Sequence, residues 1–429
     1  MYLDKVKTLV VILCSLCYVS CELGLPEGAS CFTQGANGTC VELGRCASAN
    51  RINLFLTAGY PRSQFPELPD ICSYSGKLPV VCCTDCSISE KPYYDTALLP
   101  LGTFGSKEGT VAWKKCIDYF QRLPYKCHGS GVAGVKRDWN DEKKCYDIQI
   151  YGALGVGGRD AERWEFPHSA LIGYGDDVET ADWLCGGSVI SERFILTAAH
   201  CTAAGALGSV KFAALGLLKR TDPKKYWKIH NVKRIINHPE HKPPSKYHDI
   251  ALLETETEMN FGNDLLPACL HTGTEEISTA EASGWGRLGY RQALANTLQV
   301  VEITQYNDSE CASMYKPHRL LEHGYDRKTQ MCYGVYNAAV DTCEGDSGGP
   351  LQIHRFKCLY TVIGITSYGK DCGIPGSAGM YTRVSYYVPW IESIVWPVEF
   401  EQQKKLDDEW LDKWLQKPSN LSQEIKPVM

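Results

Sequence analysis

Asp341-Thr342-Cys343-Glu344-Gly345-Asp346-Ser347-Gly348-Gly349-Pro350 sets one serine in a turn flanked by glycines. In such a turn the Ser347 hydroxyl stands free and its backbone N–H points into the same small volume. A serine is a poor nucleophile until a base takes its proton, so this reading calls for a histidine and an orienting acid elsewhere in the chain. Thr197-Ala198-Ala199-His200-Cys201 offers the base. Asp249-Ile250-Ala251-Leu252-Leu253 offers an acid at the head of an apolar strand. Cys185-Gly186-Gly187-Ser188 precedes the histidine, and the three strings run in the order His, Asp, Ser.

The chemistry assigns the roles. His200 takes the Ser347 proton and later passes it to the leaving amine, while a buried Asp249 holds the imidazole tautomer and stabilises the imidazolium. The N–H groups of Gly345 and Ser347 form the oxyanion hole.

From Trp183 to Trp396 the chain alternates β-rich runs, such as Ser188–Leu196, Leu298–Thr304 and Tyr360–Ser367, with loops containing Gly and Pro. That spacing predicts an all-β double barrel rather than βαβ units. Val384–Val395 is the one stretch there that reads as a helix.

Residues 155–397 resemble the chymotrypsin and trypsin-like serine proteases. The resemblance implies a chymotrypsin-like double β-barrel with a C-terminal helix. Asp341 then holds the carboxylate at the floor of the substrate pocket, with Gly369 and Gly379 as its wall glycines. A buried carboxylate facing an open slot is costly without a cation, so cleavage after Arg or Lys follows. Ala378 and Tyr368 depart from the residues common in relatives, Pro and Trp.

Ala153-Leu154-Gly155-Val156-Gly157-Gly158, followed by Glu165-Phe166-Pro167-His168, resembles the activation junction of such zymogens, with the scissile bond between Leu154 and Gly155. In relatives the freed α-amino group pairs with an aspartate, here Asp346. Gly155 stands where they carry Ile or Val, which forfeits roughly 3 kcal/mol of apolar burial at about 0.8 kcal/mol per carbon.

Upstream, Cys31, Cys40, Cys46, Cys72, Cys82 and Cys83 crowd a stretch too short to bury a sufficient core, so three bridges are expected to staple it. Spacing alone leaves the pairing open. The pattern with its terminal Cys-Cys resembles the clip domain of arthropod serine proteases, which implies Cys31–Cys82, Cys40–Cys72 and Cys46–Cys83. Leu before the junction together with Glu165-Phe166-Pro167-His168 most resembles the snake-like subfamily C.

The same resemblance implies Cys185–Cys201, Cys311–Cys332 and Cys343–Cys372 within the protease, and Cys145–Cys269 as the tether to the clip chain. Cys86, Cys116, Cys127 and Cys358 remain, and Cys358 suggests a second tether to the linker.

Met1–Lys7 is cationic, Thr8–Ser20 is an apolar run, and small residues follow up to Cys21, as in a secretory signal peptide. The run falls short of the ~20 residues that span a bilayer. Without Cys14, Cys17 and Cys21, the 21 cysteines leave 18, an even number suited to disulfides made in an oxidising compartment. Sequons occur at Asn37, Asn307 and Asn420. A net charge of −6 over 429 residues, with scattered Lys and Arg, excludes a nucleic-acid surface.

The expected organisation is a signal peptide over 1–21, a clip domain over 31–83 and a linker with activation segment over 84–154. A protease domain over 155–397 and a tail over 398–429 follow. Residues 84–144 read as linker, with Val111–Leu123 able to form a helical turn or two. Leu406, Trp410, Leu411, Trp414 and Leu415 fall at helical spacing in the tail.

His230, His238, His241 and His248 match no tight metal pattern, and Pro239, Pro243 and Pro244 put them in a loop. Leu217–Ile229 lacks calcium ligands. No metal and no cofactor are expected.

The reading is thus a secreted, extracellular serine endopeptidase zymogen of an innate-immune cascade, of melanisation or Toll type. Its substrates are proteins such as another protease zymogen, its activator is a protease that cuts after Leu, and its inhibitor is a serpin. It engages neither nucleic acid nor membrane. The rival reading is a feeble protease-like binding cofactor that assembles cascade proteins through its clip domain.

Overall fold

A computed structural model describes residues 25–33, 36–46, 70–75, 78–84, 110–122, 135–140, 145–150, 158–262, 264–273, 276–287, 292–336, 345–356, 359–369 and 376–415. The chain divides into two compact units. The first takes residues 1–99 and 124–153, and the second takes 100–123 and 154–429.

In the first unit β1 (Ser30–Thr33), β2 (Ala36–Glu42), β3 (Ile71–Ser75) and β4 (Leu78–Cys83) form an antiparallel sheet in the order β1-β2-β4-β3. Disulfides Cys31–Cys82, Cys40–Cys72 and Cys46–Cys83 tie it together. Among the described residues, Val41, Leu43, Val80 and Val81 join these cysteines in its small core, with Ala29 packed against it, so covalent staples replace the apolar area that a larger sheet would bury. A separate hairpin, β5 (Val135–Asn140) with β6 (Cys145–Ile150), belongs to the same unit.

In the second unit β7 (Arg159–Asp160) leads into β8 (Ser169–Tyr174), β9 (Asp182–Val189), β10 (Phe194–Thr197), β11 (Val210–Leu215), β12 (Lys228–Asn237) and β13 (Ala251–Thr255). The last six close a barrel in the order β10-β13-β12-β11-β8-β9. The short β14 (Cys269–Leu270) precedes β15 (Thr279–Gly284), β16 (Gln299–Gln305), β17 (Gln330–Gly334), β18 (Pro350–Phe356), β19 (Leu359–Tyr368) and β20 (Ala378–Arg383). Pairing of β19 with β20 closes these last six into a second barrel, with β14 along its edge.

The all-β, double-barrel expectation is what the structure shows. The continuous run Ser188–Leu196 is not one strand, however: it breaks at Ile190–Arg193, where the Ser191 hydroxyl accepts from the amides of Arg193 and Phe194. Strand β19 is buried along nearly its whole length, which is why it reads as an apolar run rather than an alternation. Phe166, Leu171, Trp183 and Trp227 pack with Trp285, Val300 and Tyr360 in one core cluster drawn from both barrels.

Helices complete the second unit. α1 (Thr110–Gln121) lies in the stretch read as linker, and α2 (Asp308–Met314) follows β16. α3 (Val384–Val395) has the bounds expected from sequence, and α4 (Pro397–Leu415) continues from it after Trp396. α2 starts at a capping box in which the Asn307 side chain accepts from the Glu310 amide and the Glu310 carboxylate accepts from the Asn307 amide. That Asn-x-x-Glu pattern was there to be read.

Where a turn or two was expected, α1 is a docked helix with Val111, Ala112, Trp113, Cys116, Ile117 and Tyr119 buried. Its third amide, from Ala112, donates to the buried Glu392 of α3 at 2.6 Å. An anion thereby satisfies donors that a helix start leaves unpaired. Lys115 pairs with Glu399 and Lys114 donates to Gln403, both on α4, while Tyr119 donates to Glu192.

The tether to Cys269 therefore differs from expectation. Cys269 is bonded to Cys116, not to Cys145, because α1 lays Cys116 against β14 while Cys145 opens β6 opposite Asn140. The tail stripe is helical as far as Leu415. The side chains of Trp410 and Trp414 lie outside the described residues.

Candidate active site

β10 delivers Thr197 to the barrel edge, and a short 3-10 turn over Ala199–Thr202 carries His200. Asp249 stands just before β13 with its side chain only 3% exposed. The His200 Nδ1 lies 2.7 Å from Asp249 Oδ2, and the His200 backbone amide donates to Oδ1 at 2.9 Å. The Ser367 hydroxyl on β19 donates to the same Oδ2, and the Thr382 hydroxyl on β20 donates to the Asp249 carbonyl at 2.9 Å. Burial pushes the Asp249 carboxyl up, but the bonds and charge of His200, together with the Ser367 hydroxyl, outweigh it and hold the group below the ordinary carboxylate range. Asp249 is thus an ionised acceptor that fixes the imidazole from the second barrel as well as from the first.

Ser347 sits between Gly345 at φ +101° and Gly348 at φ +78°. Gly349 donates to the Asp346 carbonyl and Gly348 to the Thr366 carbonyl, so the turn is pinned to β19 on one side. On the other side the Gly186 amide donates to the Ser347 carbonyl at 2.8 Å. A Cβ at Gly348 would meet Thr197 Oγ1 at 2.2 Å and the Gly186 carbonyl at 2.6 Å. Glycine is needed there both for its φ and for the close approach of β9.

The Cys185–Cys201 disulfide lies against both partners, with Cys201 Sγ 3.7 Å from His200 Nε2 and 3.4 Å from the Ser347 carbonyl. The three motifs, spread over some 150 residues of sequence, thereby meet at the junction of the barrels. His200 is exposed and Ser347 half-buried, which leaves the pair open to a substrate.

Asp346 points away from Ser347 into a cradle made by β15 and the residues after it. The Gly286 amide donates to Asp346 Oδ1 at 2.7 Å, and a Cβ on Gly284 or Gly286 would overlap the carboxylate. Close by on the same sheet, β7 pairs Arg159 with Val300 and Asp160 with Gln299 on β16. Arg159 makes a two-bond ion pair to Glu165, whose side chain is fully buried, at 2.6 and 3.0 Å. This fork–fork geometry fixes the chain at β7, a few residues after the bond expected from sequence to be the activation junction.

Gly369 and Gly379 face each other, a Cβ on the former lying 3.8 Å from the Cα of the latter. Asp341, Leu154, Gly155, Cys343, Cys372, Cys358 and Asn420 lie outside the described residues. Cys311–Cys332 closes the α2 region onto β17. Asn37 and Asn307 are both exposed, the latter as the α2 cap.

Ser367 and Thr382 are working residues that sequence reasoning did not single out, and Cys116 is one that it left without a partner. No local signal marks the two hydroxyls, since what defines them is a contact with Asp249 made across 118 and 133 residues. Among the described residues, no helix is long and apolar enough to cross a membrane.

Residues 155–391 match the trypsin family model. The serine protease snk of Drosophila melanogaster is 31% identical over 383 residues, covering 86% of this chain and 79% of that protein. A clip domain-containing serine protease, C9, of Anopheles gambiae is 35% identical across 56% of this chain and 67% of its own length. Phenoloxidase-activating factor 1 of Holotrichia diomphalia is 33% identical across 56% and 70%. With its double barrel, its His200–Asp249 pair and its pinned Ser347 turn, the chain belongs to the trypsin family of serine proteases.

Proposed function

We propose that this protein is a secreted serine endopeptidase zymogen, activated by cleavage between Leu154 and Gly155, that hydrolyses peptide bonds after Arg or Lys in protein substrates of an extracellular cascade. The observation that carries the catalytic part is the doubly held Asp249–His200 pair beside the Ser347 turn. Ser347 attacks the scissile carbonyl as His200 takes its proton, and the developing oxyanion is met by the amides of Gly345 and Ser347. Losing one such donor typically costs ~2.7–4 kcal/mol. His200 then protonates the leaving amine, and a water repeats the sequence to release the acyl group.

Asp341 would select the cationic side chain, with Gly369 and Gly379 keeping the slot open. The freed α-amino group of Gly155 would join Asp346 in its glycine cradle. After the cut, α1 stays bonded to the protease body through Cys116–Cys269, so the upstream chain with its clip domain remains attached. The names of its relatives, snk and phenoloxidase-activating factor among them, support a place in an arthropod cascade, with another zymogen as substrate, an activator that cuts after Leu and a serpin as inhibitor.

A second reading, a protease-like cofactor with little activity of its own, is favoured by Gly155 alone. Zymogen cleaved at Leu154 and offered an Arg-containing amide substrate separates the two. The endopeptidase turns it over and Ser347→Ala does not; equal rates for both proteins would select the cofactor.

A further inference from the structure

The loop between β12 and β13 folds back so that two of its histidines meet. His238 and His248 stack with ring centroids 5.4 Å apart and planes at 14°. Glu240 reaches the same place, its Oε2 lying 3.7 Å from His248 Nδ1. One ligand-capable atom from each of the three side chains falls within 4.8 Å of the other two. His241 is turned to the Tyr247 carbonyl, and His230 lies not in the loop, as expected from sequence, but on β12, where it faces Thr257, so the four histidines separate into one pair and two bystanders.

We propose that His238, Glu240 and His248 form a binding site for a divalent cation of the zinc class, and that its occupancy is felt at the catalytic Asp249.

Two imidazoles and a carboxylate are a donor set that zinc accepts, a water completing the tetrahedron. Ligand atoms about 2.0–2.2 Å from a tetrahedral ion stand roughly 3.4 Å from one another, so the present spacing must close by about an ångström. Glu240 can supply that movement, because its side chain is 63% exposed. The Glu240 amide donates to His238 Nδ1 at 3.3 Å, which leaves the Nε2 of that ring for a metal. The His248 Nδ1 that lies 3.7 Å from Glu240 is also 3.0 Å from the Tyr387 hydroxyl, so an ion taken by this nitrogen replaces the Tyr387 contact. Tyr387 and Trp390 wall the pair edge-on at 5.0 Å from His238.

The link to the triad is covalent. His248 precedes Asp249 and adopts φ +53°, a left-handed conformation that is strained in a residue with a side chain. An ion that pulls on His248 acts on this hinge directly.

The test is calorimetric titration of zinc chloride into the full-length zymogen, which needs no catalytic activity. A single site is expected, weakened roughly tenfold or more in Glu240→Gln and in His238→Gln and retained in His200→Ala. Glu240→Gln keeps the test decisive if the buried His238 variant does not fold. No binding, or binding undiminished in Glu240→Gln, overturns the site. The second arm rests on the proteolytic reading: saturating zinc should lower kcat of the cleaved enzyme for an amide substrate, and the fall should be lost in Glu240→Gln. Binding without any change in kcat overturns the coupling to Asp249.

Discussion

Asp249 accepts from four donors on three elements, and one of them, the Ser367 hydroxyl, can be removed without touching the triad. Ser367→Ala deletes a bond to a charged group, worth about 1.5–3 kcal/mol, and lets the Asp249 carboxyl rise toward its ordinary value. The native carboxyl is depressed, so its contribution to stability is present above the unfolded-state pKa and is lost as pH falls through the folded one. Ser367→Ala should therefore show a lower thermal midpoint at neutral pH, a gap from the wild type that narrows as the solution is acidified toward the carboxylate range, and a reduced kcat. A gap that stayed constant into acid would mean the hydroxyl does not act through the Asp249 charge. Gly348→Ala is the harsher change. Its Cβ meets backbone and hydroxyl atoms of fixed elements at a positive φ, so loss of amide hydrolysis is expected together with at least about 1–3 kcal/mol of stability, read by denaturant unfolding. At this scale the sequence was legible wherever a residue's job is local: the glycines around Ser347, the strings around His200 and Asp249. It was silent on Ser367 and Thr382, whose function is a contact that only the closed second barrel creates.

Among the elements, α1 shows how a helix can hide in a segment that reads as linker. The anion that satisfies the Ala112 amide near its start belongs to α3 and lies 280 residues on. Its apolar face is short and is completed by β14, α3 and α4, so its helical spacing supported no more than a turn or two. The cysteine pairing was misread for the same reason. The resemblance implied Cys145 as the partner of Cys269 and left Cys116 unassigned, and the docking of α1 is what brings Cys116 to it. Peptide mapping under non-reducing conditions should find Cys116 joined to Cys269. The Cys116→Ser variant should lose roughly 2–4 kcal/mol, because the bridge closes a long loop, with Glu392→Ala adding a smaller loss from the unpaired helix start. Mapping that joined Cys145 to Cys269 would remove α1 from its proposed role as the anchor of the upstream chain. α3 was legible because its apolar residues are dense and recur at helical spacing between a strand end and Pro397. The strand periodicity of β19, by contrast, was a continuous run whose meaning came from burial on both faces.

For the molecule as a whole, the double barrel was legible because its three chemical motifs and its strand spacing point the same way, so local and global signals agree. Activation is where they part. Asp346 lies in a glycine cradle with Gly286 donating to it, and β7 is already registered on β16 and clamped by Arg159–Glu165. Under the proposed activation, the second unit holds both the carboxylate that would receive the terminus and the chain leading to it close to their places, and what would remain for the freed terminus is its ion pair and the burial of its first side chain. Gly155 brings no side chain. Replacing it by Ile adds four carbons, roughly 3 kcal/mol if fully buried, and at about 1.4 kcal/mol per decade that is on the order of a hundredfold shift toward the inserted state. Cleaved Gly155→Ile should accordingly show a higher kcat for an Arg amide substrate than the cleaved wild type. The gain is at most about a hundredfold, and smaller by whatever fraction of the wild type is already inserted. The uncleaved forms should not differ, because the side chain acts only once its amino group is free. Equal kcat in the two cleaved proteins would mean that the Arg159–Glu165 clamp and the Asp346 cradle suffice to order the site, and that the missing side chain is no brake on this enzyme.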